Sequence, residues 1–285
     1  MRILFVGGGN MAQAILGGLI AKQIPSEGFR VVEPSRDTRA VIAALGVAAH
    51  ESLTQNLIEC DAIVLAVKPQ MMQDAIAPLI GKLAGQVVIS IAAGVSTESL
   101  ARWLGGAGSG YQNIVRTMPN TPALIRAGIS GLYAASGVTA AGRQMADALL
   151  SAVGKTVWFD DEAMLDAVTA VSGSGPAYVF YFVEAMEQAG LELGFDHETA
   201  RLFACETFLG GAKLLASTGE RPGVLRARVT SKRGTTERAI ESFDAHGLKL
   251  AFIDGVKAAC SRSRELGLEL SAAADSTNHA TGAAR

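Results

Sequence analysis

The stretch Ile3-Leu4-Phe5-Val6-Gly7-Gly8-Gly9-Asn10-Met11-Ala12 reads as a strand, a turn and the start of a helix. Four apolar residues without alternation suit a strand covered on both faces. Residues 11–22 then carry Ile15, Leu19 and Ile20 at helical spacing. The turn fits the pattern Gly-x-Gly-x-x-Ala. Gly7 permits the sharp turn, Gly9 lets a pyrophosphate approach the backbone, and Ala12 allows close packing of the helix. The helix start adds free N–H donors and the positive end of its dipole. Residues 3–21 carry no charge, but their five glycines, Asn10 and Gln13 make them too polar and too broken for a membrane span. The apolar run 3–6 is also too short for a signal peptide.

Outward from this unit, strand and helix alternate. Strands are expected at 30–32, 62–67, 87–91, 114–118, 131–134 and 156–159, with helices at 40–45, 71–83, 97–104 and 140–152 and a glycine-rich turn over 105–110. Such alternation predicts an open, mostly parallel sheet. Near Asp160 the pattern changes and no further strand is expected. Pro176 is placed to start a helix whose Val179, Phe182, Val183 and Met186 form one stripe, widened nearly all round by Phe180 and Tyr181. Asp196 is a candidate cap for the next helix, where Ala200, Phe203, Ala204, Thr207, Phe208 and Gly211 recur at helical spacing. Helices at 236–245 and 248–266 follow. The expected organisation is 1–159 as a dinucleotide-binding domain, 160–271 as a helical domain, and 272–285 as a flexible tail.

Composition narrows the function. The 285 residues are 49% hydrophobic and 18% charged, enough for two cored domains and incompatible with general disorder. A net charge of −2 argues against a partner bound by neutralising many phosphates, so no nucleic acid and no membrane are expected. Cys60, Cys205 and Cys260 are widely spaced, which suits a reducing cytoplasm and excludes a disulfide scaffold or structural zinc site. Residues 1–155 carry 12 Lys+Arg against 9 Asp+Glu, and residues 156–285 carry 13 against 18. Within the acidic half, Arg221, Arg226, Arg228, Lys232, Arg233 and Arg238 are opposed only by Glu237, which reads either as a solvated loop or as an anion-attracting mouth.

Cofactor choice lies at the end of the second strand. Glu33 stands where an acid accepts from the ribose hydroxyls and favours NAD, whereas Ser35 and Arg36 suit a 2′-phosphate. The repulsion between carboxylate and phosphate tips the balance slightly to NADH, with dual use open. Ala66-Val67-Lys68-Pro69 and Ile91-Ala92-Ala93 end two strands on the same side, where small residues leave room for a nicotinamide ring. Lys68 reads equally as a surface lysine. Gly234, Thr235 and Thr236 precede a helix, so their N–H groups can grip a carboxylate; the plain alternative is that Thr235 or Thr236 caps that helix. The four histidines have no partner motif and read as structural, and no metal is expected.

The chain resembles pyrroline-5-carboxylate reductases over nearly its whole length. The resemblance rests on residues 7–12, Ala66-Val67-Lys68-Pro69-Gln70, Arg116-Thr117-Met118-Pro119-Asn120-Thr121-Pro122, the segment 166–178 with Ser172-Gly173-Ser174-Gly175-Pro176, and residues 225–236. It implies a Rossmann-type doubly wound sheet followed by an all-α dimerisation domain, a homodimer with its site at the dimer interface, and reduction of 1-pyrroline-5-carboxylate by NADPH or NADH as the last step of proline biosynthesis. It places the cofactor on Gly7, Gly8, Gly9, Asn10, Met11 and Ala12, on Ala66, Val67, Lys68 and Pro69, and on Ile91, Ala92 and Ala93. The substrate would lie near Glu162, Ser231, Gly234, Thr235 and Thr236, with Thr236 orienting the ring and Lys68 catalytic or cofactor-positioning. One departure stands out: Arg233 occupies a position where the family usually has glycine, and is strained there if φ is positive.

Other oxidoreductases fit less well. β-Hydroxyacid dehydrogenases use a lysine on the first long helix, and here none occurs between Lys155 and Lys213. A ketol-acid reductoisomerase needs clustered carboxylates for magnesium. A non-catalytic dimer that only senses NAD(P) would bind nucleotide without turnover.

Overall fold

The computed structural model describes residues 1–105 and 110–282, so most of the expected 105–110 turn lies outside the described residues. Eight strands form one sheet: β1 (Ile3–Val6), β2 (Phe29–Val32), β3 (Ala48–His50), β4 (Ala62–Leu65), β5 (Val87–Ser90), β6 (Ile114–Met118), β7 (Gly128–Ala134) and β8 (Gly154–Phe159). Their order is β3-β2-β1-β4-β5-β6-β7-β8. Only β6 and β7 pair antiparallel. They are joined by a short link holding one 3-10 turn (Thr121–Ile125), and a parallel return would need a longer crossover. The chain moves outward from β1 to β3, then returns to β4 on the other side of β1. The carboxyl ends of β1 and β4 therefore flank the crevice where ligands of such sheets bind.

Side-chain alternation along the strands builds two cores. Phe5, Val31, Val64 and Ile89 pack under α1 (Asn10–Ala21) and α5 (Ala140–Leu150), using Ile15, Leu16, Leu19 and Leu149. Leu4, Val32, Ile63 and Val88 face the other way, against Met72, Ile76, Leu100 and Leu104. Between them lie α2 (Arg36–Ala44), α3 (Met72–Ile76) and α4 (Thr97–Gly105).

The structure corrects several sequence expectations. Ala48-Ala49-His50, expected as loop, is edge strand β3, paired with β2. Its three residues have almost no β propensity and are recruited by the neighbouring backbone. The helix expected over 71–83 shrinks to α3 between 3-10 turns, because Pro78 removes an N–H and crowds the preceding turn.

Contacts divide the chain into Met1–Ser174 with Ala259–Arg285, and Gly175–Ala258. Residues 160–174, expected to open the helical domain, belong with the sheet. There α6 (Met164–Val168) leads into a π-helical turn (Thr169–Gly173). A Cβ on Gly173 would lie 2.4 Å from Met118 Cε, so glycine lets the Met118 side chain lie against this turn.

The second unit holds α7 (Gly175–Glu192), α8 (His197–Thr218), α9 (Pro222–Arg228), α10 (Thr235–Ala245) and the start of α11 (Leu248–Gly282). The Asp196 carboxylate caps α8 by accepting from Thr199 N–H at 2.7 Å. Helix α9 occupies part of the cation-rich stretch read either as a solvated loop or as an anion-attracting mouth, with Pro222 in its first turn. Helix α11, expected to stop at Leu266, runs to Gly282 through the stretch expected as a flexible tail. Ala272-Ala273-Ala274 contains no breaker there. Among the described residues no helix is long and apolar enough to cross a membrane.

Candidate active site

At the crevice, Gly7 takes φ +98°, and a Cβ there would sit 2.7 Å from Ala66 O. Its N–H donates to Val32 O at 2.8 Å, which locks the turn onto β2. Gly9 opens α1 without any side-chain cap, and nothing lies within 4 Å of where its Cβ would be. An uncapped helix start with open space beside a bare glycine is the cradle a pyrophosphate requires. Asn10 and Met11 form the first turn, and Ala12 is fully buried.

Glu33 lies beside this cradle. One carboxylate oxygen accepts from Gly8 N–H and the other from Ser35 N–H, both at 2.9 Å. The acid is thus pinned between the glycine turn and the start of α2. Ser35 caps α2 through Thr38 N–H at 3.4 Å, and Arg36 is exposed as its first residue. Both opposing cofactor signals therefore sit at the same corner.

Ala66 donates its N–H to Val6 O at 2.8 Å, tying the end of β4 to β1. Val67 is half-buried, Lys68 is exposed in extended backbone, and Pro69 begins a 3-10 turn. After β5, Ile91 N–H donates to Leu65 O at 3.1 Å and Ala92 N–H to Ser90 Oγ at 3.3 Å. Ala92 is buried and Ala93 exposed. The predicted cofactor residues of the first unit are therefore gathered along the carboxyl ends of β1, β2, β4 and β5.

Glu162 belongs to the same unit and does something the sequence reading did not foresee. One of its oxygens accepts from Thr97 N–H at 2.8 Å and from Arg116 Nη1 at 3.0 Å; the other accepts from Thr97 Oγ1 at 2.6 Å. Arg116 is only 6% exposed and also lies 3.8 Å from Asp166, which accepts from Ser263 Oγ at 2.8 Å. Both Glu162 oxygens accept hydrogen bonds from protein partners, a role beyond the nearness to substrate that the resemblance implies. The missed residues had a signal: Arg116 interrupts an apolar strand and Asp166 an apolar helix, and buried charges come paired.

In the second unit, Ser231 and Gly234 shape the start of α10. Gly234 N–H donates to Ser231 O at 3.0 Å, and a Cβ on Gly234 would meet Ser231 Oγ at 2.5 Å. Gly234 is the N-cap residue and no side chain caps the helix, so neither Thr235 nor Thr236 has the plain capping role. Thr235 is exposed and Thr236 half-buried. Arg233 does take φ +60°, and its N–H donates to the Glu237 carboxylate. Glu237 therefore spends its charge on backbone. Arg228 is paired with Glu220 by two hydrogen bonds of 2.7 Å, so the cationic cluster is partly neutralised by an acid just outside it.

His50 ends β3, His197 begins α8, and the His246 ring lies 2.7 Å from Ser242 O in its own helix end. Among the described residues no group of His, Cys, Asp and Glu could hold a metal.

Comparisons with known proteins identify the family. Residues 162–266 match the family model for pyrroline-5-carboxylate reductase dimerisation. Residues 2–94 match that for coenzyme F420-dependent NADP oxidoreductases. A pyrroline-5-carboxylate reductase of Pseudomonas aeruginosa is 46% identical over 273 residues, covering 94% of this chain and 98% of the relative. One from Haemophilus influenzae is 43% identical, covering 93% and 97%. The Coxiella burnetii reductase structure superposes with TM-score 0.84 at 37% identity, covering 93% of this chain and 98% of that one. The Plasmodium falciparum reductase with NADP bound gives TM-score 0.81 at 26% identity, covering 94% and 98%.

Proposed function

The chain belongs to the pyrroline-5-carboxylate reductase family and reduces 1-pyrroline-5-carboxylate to L-proline with NAD(P)H; we propose that residues 231–236 hold the imine while the β1–β4 crevice holds the cofactor. Bound NAD(P)H would supply a hydride to the carbon of the protonated imine, whose C=N π electrons would become the amine lone pair while the nitrogen keeps its proton. A protonated imine is already electrophilic, so the protein needs to align and hold rather than to supply a strong acid.

The crevice residues fit the cofactor. Gly7, Gly8, Gly9, Asn10, Met11 and Ala12 cradle the pyrophosphate, and Glu33, Ser35 and Arg36 surround the adenosine ribose. Ala66, Val67, Lys68 and Pro69 line one side of the crevice, while Ile91, Ala92 and Ala93 flank the nicotinamide. Lys68 is exposed and orients the cofactor. In the second unit the N–H groups of Thr235 and Thr236 hold the carboxylate, with Ser231 and Gly234 shaping the turn. The Thr236 hydroxyl reaches the ring nitrogen, which is one carbon from the carboxylate.

The observation that carries this arrangement is the uncapped start of α10, whose two hydroxyls are not used as caps. Association of two copies through residues 162–266 completes the enzyme, and the free thiols suit the cytoplasm. NAD(P)H oxidation with the cyclic imine tests the reading. Imine-dependent turnover is expected; tight cofactor binding without turnover would instead identify a nucleotide sensor.

A further inference from the structure

We propose that Glu162 is a positioning residue for the nicotinamide end of the cofactor site. It anchors the first residue of α4 and thereby fixes the loop 91–96. The inference rests on the proposed placement of the cofactor against Ile91, Ala92 and Ala93.

Six residues join β5 to α4, and they are held at both ends. At the β5 end, Thr117 Oγ1 donates to Ser90 O at 3.0 Å, and Ala92 N–H donates to Ser90 Oγ at 3.3 Å. At the α4 end, Ser96 Oγ accepts from Ser99 N–H at 3.1 Å. That local cap leaves Thr97 N–H without a partner nearby in sequence. Glu162, 65 residues further on, takes both this N–H and the Thr97 hydroxyl. A carboxylate at this place also faces the positive end of the helix dipole.

The carboxylate is itself held. Arg116 stands between Glu162 and Asp166, and Asp166 accepts from Ser263 on α11. The same helix flanks the loop. Gly94 takes φ +75°, and a Cβ on Gly267 would come within 3.1 Å of Gly94 O. Ser99 Oγ and Ser271 Oγ meet at 3.1 Å. The loop is thus clamped by strand ends, by the Glu162–Arg116–Asp166 cluster and by α11. Ala92, Gly94 and Val95 are buried while Ala93 is exposed. Hydride transfer is sensitive to small misplacements of the reacting atoms, so a loosened clamp reduces both cofactor affinity and turnover.

The test uses the full-length enzyme with Glu162→Gln and Thr97→Val. It measures the NADPH dissociation constant by fluorescence without imine, then kcat, imine KM and melting temperature. Glu162→Gln keeps the size but puts an amide donor against Thr97 and Arg116. Weaker NADPH binding by about 10-fold is expected, the size of one charge-assisted hydrogen bond, with kcat lowered and imine KM within about 2-fold of the parent. Thr97→Val should act in the same direction by about 3-fold, and it decides the matter if Glu162→Gln does not fold. A raised imine KM with unchanged NADPH binding would make Glu162 a substrate contact. A lowered melting temperature with both constants unchanged would make it structural only. Either result overturns the proposal. Ala93→Val separates the premise: if it leaves NADPH binding intact, the cofactor placement fails and the proposal with it. If Ala93→Val weakens binding while Glu162→Gln and Thr97→Val do not, the positioning role alone fails.

Discussion

The sheet unit and the helical unit bury their apolar residues to different degrees. In the first, Leu4, Phe5, Ile63 and Ile89 are all at 0% exposure under helices from the same chain. In the second, the buried hydrophobics among the described residues are Ala200 and Ala204, where α8 meets α7 at Gly190. Phe180, Tyr181, Leu202, Phe203 and Leu214 are all more than half exposed. Phe252 packs between Tyr178 and Phe182 at 5.7 and 5.6 Å, but this cluster covers little of that surface. A doubly wound sheet completes its own core, whereas three or four long helices with apolar residues on most sides do not. The difference shows where a single copy suffices and where a second copy must supply the missing half of a core.

Breaking the second unit's surface should have the largest effect. Phe180→Asp with Leu202→Asp would bury two unpaired charges, costing about 3–5 kcal/mol or more of association. Sedimentation should show monomers, and turnover should vanish while the sheet unit stays folded. A monomeric parent at micromolar concentration would remove the contrast between the units.

Thr236→Ala comes next. A fall in kcat/KM of about 10–100-fold is expected, matching roughly 1.4–3 kcal/mol for one oriented hydrogen bond. NAD(P)H binding, proposed for the other unit, should be nearly unchanged. Because Gly234 already holds the N-cap position, the melting temperature should hardly move. A lower melting temperature with normal turnover would return Thr236 to the role of a helix cap.

Glu33→Ser sharpens the comparison from the cofactor side. It removes the carboxylate from Gly8 and Ser35 N–H and opens the corner to a 2′-phosphate. The NADPH/NADH ratio of kcat/KM should rise by an amount on the order of 1–3 kcal/mol, with imine KM unaltered. An unmoved ratio would mean that Glu33 only braces the glycine turn.

The smallest effect is expected for Arg233→Gly. A non-glycine residue at φ +60° costs about 1–2 kcal/mol in the left-handed region, offset in part by the greater freedom of glycine in the unfolded chain. A net gain on the order of 0.5 kcal/mol should appear as a slightly higher denaturation midpoint. A clear loss of stability would show that the Arg233 side chain makes contacts worth more than its backbone strain.

Much of the first unit was legible because local chemistry dictates it. Apolar runs with glycine turns specify buried strands, and Gly7 has to be glycine because β4 passes so close to it. The residues proposed for the crevice lie at the ends of strands that apolar runs and glycines already mark. What escaped was set by neighbours in space. Residues 48–50 become a strand only because β2 offers them a ladder. Helix α9 forms from a cation-rich segment, with Glu220 pairing Arg228 at its C-terminal end.

The sequence alone determined the glycine turn, the strand–helix alternation and the helical second half, because each depends on residues within a few positions of one another, while the family resemblance pointed to the backbone at Arg233. Only the tertiary structure decided the partners of Glu162. Its partners Thr97 and Arg116 lie 65 and 46 positions away, and no spacing rule links a carboxylate to a helix start that distant. The family resemblance sets Glu162 near the substrate, whereas the fold brings Thr97 and Arg116 to it, and a carboxylate accepting three hydrogen bonds from its own chain is the observation on which its proposed positioning role rests.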